Sequence, residues 1–291
     1  MCSADQIAAD VARALAEDLG RGDLTAALIP EALTSTATVI CREPAVICGT
    51  AWFDAVFRQL DPAVRIEWSV QDGERVAAGH ILCRLSGSAR ALVSGERTAL
   101  NFLQLLCGTA STARAYADAV AGTNTRILDT RKTLPGLRAA QKFATRCGGC
   151  INHRMGLYDA ILIKENHIAA AGSLTAAVQA SRQTHPGQAI EVEVESLAQL
   201  DEALGLGVDH LLLDNFSLPE LTTAARRTAG RARLEVSGNV ALADLAVIAA
   251  TGVDFISVGA LTKHVRAIDL SLRFESLAAD SRAESVSPHS R

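Results

Sequence analysis

The chain has 291 residues and no uninterrupted apolar stretch long enough to cross a bilayer, which excludes a transmembrane helix. It also lacks a signal-peptide pattern. Residues 1–19 have no basic start and no continuous apolar centre, and they carry Asp5, Asp10, Glu17 and Asp18. A cytoplasmic protein is expected. There is no excess of positive charge: the formal net charge of −4 gives no ground for nucleic acid or an anionic membrane as a partner. Lysine is absent before Lys132. That absence excludes one reading of residues 72–87, DGERVAAGHILCRLSG, whose rhythm matches a lipoyl- or biotin-carrier hairpin. Such a domain carries its cofactor on an exposed lysine, and this stretch has none. The seven cysteines are odd in number and sit mostly among apolar neighbours. Cys147 and Cys150 form a CxxC with no second pair to complete a zinc site, so packing is the better reading.

The length suffices for one large α/β barrel or two smaller domains. Ile7, Ala8, Val11, Leu15 and Leu19 recur at helical spacing, and Gly20 and Gly22 close that helix. From about 36 to 93 the pattern shifts to short β-branched runs broken by Gly, Pro and Asp, with a helix expected over Asp54–Leu60. Ser94 has the character of an N-cap for a long helix with a Leu100, Leu103, Leu106 and Ala110 stripe, interrupted or bent near Gly108. From 124 onward, short apolar strands alternate with helical stretches: TRILDT, DAILIKEN, IEVEVES, HLLLDN, RLEVSGN and FISVGA. Consecutive β-α units of this kind predict a parallel sheet or barrel, and six clear strands fall short of a closed eight-stranded one. The fold class is therefore α/β: an N-terminal α/β sandwich-like domain over 1–108, rejoined by 267–278, and an incomplete (β/α) barrel over 109–266. The polar residues 279–291 are expected to be disordered.

Barrel active sites lie at the C-terminal ends of the strands. Here those ends carry Asp129, Thr130, Arg131 and Lys132, then Lys164, Glu165, Asn166 and His167, then Asp214 and Asn215. The last two strands end in Ser237, Gly238 and Asn239, and in Val258, Gly259 and Ala260, where glycine would let backbone N–H groups approach a phosphate. In IEVEVES, Val192 and Val194 alternate with Glu191, Glu193 and Glu195, so valines facing helices would turn three glutamates inward. Such carboxylates need cations or donors. They could pair with Arg131, Lys132 or Lys164 as a structural network; the favoured alternative is that at least one, with Asp214, binds magnesium or ribose hydroxyls. Arg131, Lys132, Arg138, His153, Arg154 and Lys164 form a cation set suited to a ligand with several carboxylates or phosphates. Arg97, placed in the first turn of the Ser94 helix, opposes the helix dipole, and an anionic partner would justify it.

Together SGERTALNFLQ (94–104), TRKTLPGLR (130–138), NHRMGLYDAILIKENH (152–167), EVEVE (191–195), LLLDNF (211–216), EVSGN (235–239) and SVGAL (257–261) closely resemble the quinolinate phosphoribosyltransferase family. The likeness runs from EDLGRGDLT (17–25) to TKHVRAIDLSLRF (262–274). Cys150, where the family usually has glycine, and His264, where a small residue is common, are departures. The resemblance implies decarboxylating transfer of phosphoribose from phosphoribosyl pyrophosphate to quinolinate in NAD biosynthesis. It implies magnesium, no organic cofactor, and a homodimer with shared sites in which Arg97 reaches the partner. Thr130, Arg131, Lys132, His153, Arg154 and Lys164 would bind the anions, with Lys132, Lys164, Glu193 and Asp214 as the catalytic group. Glu193 and Asp214 would hold ribose hydroxyls and the metal, directly or indirectly, and Ser237, Gly238, Asn239, Val258, Gly259 and Ala260 would cradle the 5′-phosphate. The rivals are a Schiff-base sugar-phosphate barrel using Lys164, a nicotinate-using or molybdenum-transport-associated paralogue, and a non-catalytic binding protein.

Overall fold

The structure, a computed structural model, describes residues 2–238 and 240–275. Helix α1 spans Ala4–Leu19 and starts on a Ser3 side chain that accepts the Gln6 N–H. Strand β1 (Thr34–Cys41), the short β2 (Ala45–Val46), helix α2 (Thr50–Leu60), β3 (Arg65–Trp68), β4 (Arg75–Val76) and β5 (Ile81–Ser88) follow. β5 pairs antiparallel with both β1 and β3. The carrier-like stretch is therefore sheet framework, with β4 paired to β2.

Helix α3 runs without a break over Ala89–Ala119. This corrects two sequence expectations. Ser94 is not an N-cap, because the helix starts directly after β5; the Ser94 hydroxyl instead donates to Asp23 at 2.8 Å. Arg97 consequently lies well inside the helix, not in its first turn. Nor does Gly108 bend it. A Cβ there would sit 2.1 Å from the Arg266 carbonyl oxygen, so this glycine marks close backbone approach. The stripe of Leu100, Leu103, Leu106 and Ala110 is buried as expected.

Six parallel strands come next: β6 (Arg126–Leu128), β7 (Ile161–Ile163), β8 (Ile190–Val194), β9 (His210–Asp214), β10 (Arg233–Ser237) and β11 (Phe255–Ser257). Their order is β6-β11-β10-β9-β8-β7, and β6 and β7 are not paired with each other, so the barrel is incomplete. A lone parallel bridge from Leu128 to Ile151 lies on the open side of β6. The helices are α4 (Arg138–Cys147), α5 (Glu165–Ala171), α6 (Leu174–Thr184), α7 (Leu197–Gly205), α8 (Leu218–Thr228), α9 (Leu245–Ala249) and α10 (Ala260–Lys263). Three of them open on the same Ser-Leu dipeptide. Ser173 accepts from Ala176 N–H, Ser196 from Gln199 N–H, and Ser217 forms a capping box with Glu220. Outward residues of the strands, such as Val192, Val194, Leu211, Leu213, Leu234, Val236 and Ile256, pack with Leu200, Ala203, Leu221, Ala224 and Leu245 in one core. The inward faces are thereby left for polar chemistry.

Strand β12 (Leu270–Glu275) pairs antiparallel with β1, giving a sheet of order β12-β1-β5-β3. The described residues divide into two compact units, one of Ser3–Leu105 with Ile268–Glu275, the other of Leu106–Ala267 with Cys2. The expected disordered tail, 279–291, lies outside the described residues. Among the described residues no helix is long and apolar enough to cross a membrane.

Candidate active site

A cavity of about 340 Å³ opens among the C-terminal ends of the barrel strands. Thr130, Arg131 and Lys132 line it after β6, and His153 and Arg154 enter from the loop before β7. Lys164 follows β7, Glu193 lies on β8, and Ser237 ends β10. Sequence reasoning named all eight. Leu162, Leu212, Glu235 and Ser257 complete the lining.

The loops that carry these groups are held from behind. Arg138, read from sequence as a ligand donor, is a clamp: it donates to Thr133 Oγ1 at 3.1 Å, to the Met155 carbonyl at 3.2 Å and to the Arg131 carbonyl at 3.4 Å. The buried Gln141 accepts from Leu134 N–H at 2.8 Å and donates to the Thr262 carbonyl at 2.9 Å. Thr262 in turn donates to the Lys132 carbonyl at 2.7 Å. Beneath His153 lies the fully buried ion pair of Lys142 and Asp129. Asp129 also accepts from Thr145 at 2.8 Å, Asn152 at 2.5 Å and His153 N–H at 2.9 Å. Lys142 closes the loop by donating to the His153 carbonyl at 2.8 Å.

The charges in the mouth are mixed. Lys164 Nζ donates to Glu193 Oε2 at 2.5 Å. Burial pushes the Glu193 carboxyl above its ordinary range, opposed by Lys164 and reinforced by the charge of Asp214. Arg154 is pulled down by burial and by the like charge of Arg131; its guanidinium donates to the Ala160 carbonyl at 3.1 Å. Alternation along β8 holds as far as the strand does. Val192 and Val194 are wholly buried against helices, and Glu191 and Glu193 turn inward at 5% and 8% exposure. Glu195 departs from the expectation: it lies beyond the end of β8, is exposed, and its N–H donates to Gln199.

Asp214 ends β9 and accepts from Ser237 Oγ at 2.7 Å and from Asn215 at 2.7 Å. Gly238 has φ of 130°, a value suited to glycine, and a Cβ there would meet Asn215 Oδ1 at 3.1 Å. Gly259 packs so closely on Lys132 that a Cβ would lie 2.7 Å from its Cδ, with Thr130 Oγ1 at 3.5 Å. The Val258 N–H is taken by the Leu128 carbonyl at 2.9 Å and its side chain is buried, so it anchors the turn from behind. Ala260 begins α10. Arg97 is exposed on α3 and makes no hydrogen bond or ion pair among the described residues. Asn239 lies outside the described residues.

Sequence reasoning missed the site role of Glu235 and the apolar pair Leu162 and Leu212. Glu235 stands two residues before Ser237 on β10, so strict alternation puts both on one face. It is completely buried, and with Glu191 it flanks His153: Nε2 lies 2.9 Å from Glu191 Oε2 and 3.6 Å from Glu235 Oε2. His153, Glu191 and Glu235 bring one candidate ligand atom each within 4.8 Å of one another. The CxxC, in contrast, is framework. Cys150 donates its thiol to the Ala113 carbonyl at 3.3 Å, and burial pushes that thiol up to about 12. A Cβ on Gly148 would lie 2.4 Å from Ala113 Cβ.

The quinolinate phosphoribosyl transferase N-terminal domain matches residues 23–107, and the C-terminal domain of the same family matches residues 109–273. The chain belongs to the quinolinate phosphoribosyl transferase family. It is 43% identical over 281 residues to the nicotinate-nucleotide pyrophosphorylase [carboxylating] of Mycobacterium leprae (strain TN), covering 93% of this chain and 98% of the relative. It is 38% identical to quinolinate phosphoribosyltransferase [decarboxylating] 1 of Nicotiana glauca, over 90% of this chain and 80% of that one. Among solved structures, the nicotinate-nucleotide pyrophosphorylase from Francisella tularensis superposes with a TM-score of 0.90 at 43% identity, covering 94% of this chain and 98% of that chain. Family membership gives the cationic mouth its context. Of the residues in the sequence motifs above, Thr130, Arg131, Lys132, His153, Arg154, Lys164, Glu193 and Ser237 line the cavity.

Proposed function

We propose that this chain transfers the phosphoribosyl group of phosphoribosyl pyrophosphate to quinolinate with loss of CO₂, giving nicotinate mononucleotide and pyrophosphate for NAD biosynthesis in the cytoplasm. One observation carries the reading: Arg131, Lys132, Arg154 and Lys164 share a single cavity with Glu193 and the apolar Leu162 and Leu212. A flat ring bearing two carboxylates needs both kinds of wall, and fixed cations suit a donor with a 5′-phosphate and a pyrophosphate.

Quinolinate's carboxylates would be oriented by Arg131, Arg154, Lys132 and Lys164, with His153 alongside. The bond from ribose C1 to the pyrophosphate oxygen breaks, and its electron pair leaves with pyrophosphate. The ring nitrogen's lone pair then forms the new bond to C1. Glu193 and Asp214 stabilise positive charge on the ribose as the first bond breaks. The now cationic ring accepts the electron pair of the adjacent C–C bond, CO₂ departs, and a proton from water fills that ring position. No covalent enzyme intermediate is required. Ser237, the glycine turns at Gly238 and Gly259, Asn239, Val258 and Ala260 would form the 5′-phosphate cradle.

Magnesium belongs to this reading. Glu193, next to last in β8, and Asp214, at the end of β9, are two carboxylates on neighbouring strands, so a hard divalent cation or ribose hydroxyls suit the pair. When bound, magnesium would neutralise the pyrophosphate leaving group. We also propose a homodimer in which exposed Arg97 of one protomer serves the site of its partner.

Incubation with magnesium, phosphoribosyl pyrophosphate and either quinolinate or nicotinate tests the reading. CO₂ and nicotinate mononucleotide should appear only with quinolinate; product from nicotinate alone would favour the paralogue. Lys164→Ala should lower turnover by about 100-fold or more, and near-normal turnover would refute the role given to Lys164.

A further inference from the structure

We propose that Glu235, acting with Glu191, is a positioning residue for His153: the two carboxylates engage Nε2 and leave Nδ1 to meet the anionic ligand. The proposal rests on the reading of His153 as a ligand-binding residue. His153 is fixed at its main chain first. Its N–H donates to Asp129 at 2.9 Å, and its carbonyl accepts from Lys142 at 2.8 Å. The ring is then fixed from below, with Nε2 at 2.9 Å from Glu191 Oε2 and 3.6 Å from Glu235 Oε2. Nδ1 makes no hydrogen bond among the described residues, and His153 lines the cavity. The ring can swing neither along the chain nor about its own axis without giving up a buried contact.

The two carboxylates need this histidine as much as it needs them. Glu191 is 5% exposed and Glu235 is fully buried, and neither oxygen of Glu235 has a hydrogen bond among the described residues. A buried carboxylate is costly unless a cation stands near it. Two imidazoles face them, His153 from the loop before β7 and His210 from the strand register. His210 on β9 sits between the acids, its Nε2 3.4 Å from Glu235 Oε2 and 3.9 Å from Glu191 Oε1. Two acids thus face two imidazoles, each of which their charge favours in the protonated form. Other charges near this group are Lys142 from α4, which opposes a proton on His153, its partner Asp129, which accepts the His153 N–H, and Arg154, which acts on Glu191.

The chemistry follows from the geometry. A neutral ring with its proton on Nε2 would present a lone pair at Nδ1 to a carboxylate or phosphate, which is repulsive. The doubly protonated ring presents an N–H instead. Burial alone would lower the imidazole, but the Glu191 hydrogen bond and the charges of Glu235 and Glu191 outweigh it, so His153 titrates above its ordinary value of 6.5. Anion binding through Nδ1 should therefore weaken as pH rises and the ring loses its second proton.

Nitrogen-15 NMR of the ligand-free enzyme, with the His153 signals assigned by His153→Gln, tests this without any turnover. The expected result is a titration midpoint above 6.5 and, in the neutral ring, the proton on Nε2. Glu235→Gln should move the midpoint down and raise the quinolinate KM about tenfold, with a smaller change in kcat; Glu235→Asp should recover part of both. His210→Leu removes the imidazole that competes for the same two carboxylates and should move the midpoint up, which keeps the test open if Glu235→Gln does not fold. A neutral ring protonated on Nδ1 overturns the proposal. So does a midpoint unmoved in either variant, or an unchanged KM in Glu235→Gln. Absence of activity in the wild type would refute the proposed reaction and leave the NMR result standing.

Discussion

Lys142→Met tests how far the site depends on a pair that touches no ligand. Lys142 and Asp129 are 1% and 0% exposed, so removal of the ammonium leaves a buried carboxylate without its cation. Breaking such a pair from one side costs about 3–5 kcal/mol. Methionine preserves most of the stem's volume, so the cavity contribution is small. Asp129 keeps three donors, Thr145, Asn152 and the His153 N–H, which places the expected loss near the lower end, about 3 kcal/mol. At roughly 2–4 °C per kcal/mol, the midpoint of thermal unfolding should fall by about 6–12 °C. Calorimetry of wild type and variant measures it. The His153 carbonyl also loses its donor, so the quinolinate KM should rise along with the stability loss. In the cycle with Asp129→Asn, the double variant should lose less than the sum of the singles, because each single strands the other's partner. A Lys142→Met midpoint within about 2 °C of wild type would refute the reasoning. It would mean that Asp129 is sustained by its neutral donors alone.

Gly259→Ala places a methyl 2.7 Å from Lys132 Cδ, a flexible side chain that must move. Loss of one charged hydrogen bond of about 1.5–3 kcal/mol should raise the KM of the phosphorylated donor by about tenfold or more, with an unchanged melting midpoint; a lower midpoint with unchanged KM would contradict this. Asp159 is held below the ordinary carboxylate range: burial, the largest single influence, raises the carboxyl, but it is outweighed together by hydrogen bonds accepted from Met155 N–H at 2.6 Å and Gly156 N–H at 3.1 Å. That contribution is present above the unfolded pKa and is lost as pH falls through the depressed value. Asp159→Asn should mimic the acid state at neutral pH and speed hydrogen exchange at Met155 and Gly156; unchanged exchange there would rule the carboxylate out as the loop's anchor.

Each of the six barrel strands was legible because a short apolar run stops at a polar or glycine residue. The periodic α1 was legible for a similar reason: Val11 and Leu15 had to be buried, and they are. The start of α3 was misread because Ser94-Gly95 has the chemistry of a helix entrance. Gly95 is there for another reason: a Cβ would lie 2.7 Å from Phe57 Cε1 and 2.8 Å from Leu60 Cδ1. Gly108 repeats the lesson against the Arg266 carbonyl. Both glycines answer to partners dozens of residues away, and no local pattern distinguishes a glycine that ends a helix from one that lets another segment come close.

The acids of the barrel show where alternation stops being informative. Glu191 and Glu193 follow the period-two rule, whereas Glu195 breaks it because Ser196 already caps α7 and the strand has ended. Glu235 obeys the same rule but stands alone between Leu234 and Val236, so nothing in β10 by itself marks it as part of a cluster. Its meaning comes from register. Glu191 pairs with His210, and Glu193 and Glu235 both pair with Leu212, from its two sides. Two acids and a histidine thus converge below a histidine from a loop, although the four residues come from four separate segments. Sequence order reports which side chains share a face. It does not report partners: Glu193 meets Lys164, whereas Glu191 and Glu235 meet His153 and His210. The cations at the mouth can attract an anion wherever they stand near the rim; holding one ring nitrogen of His153 toward it requires the buried layer.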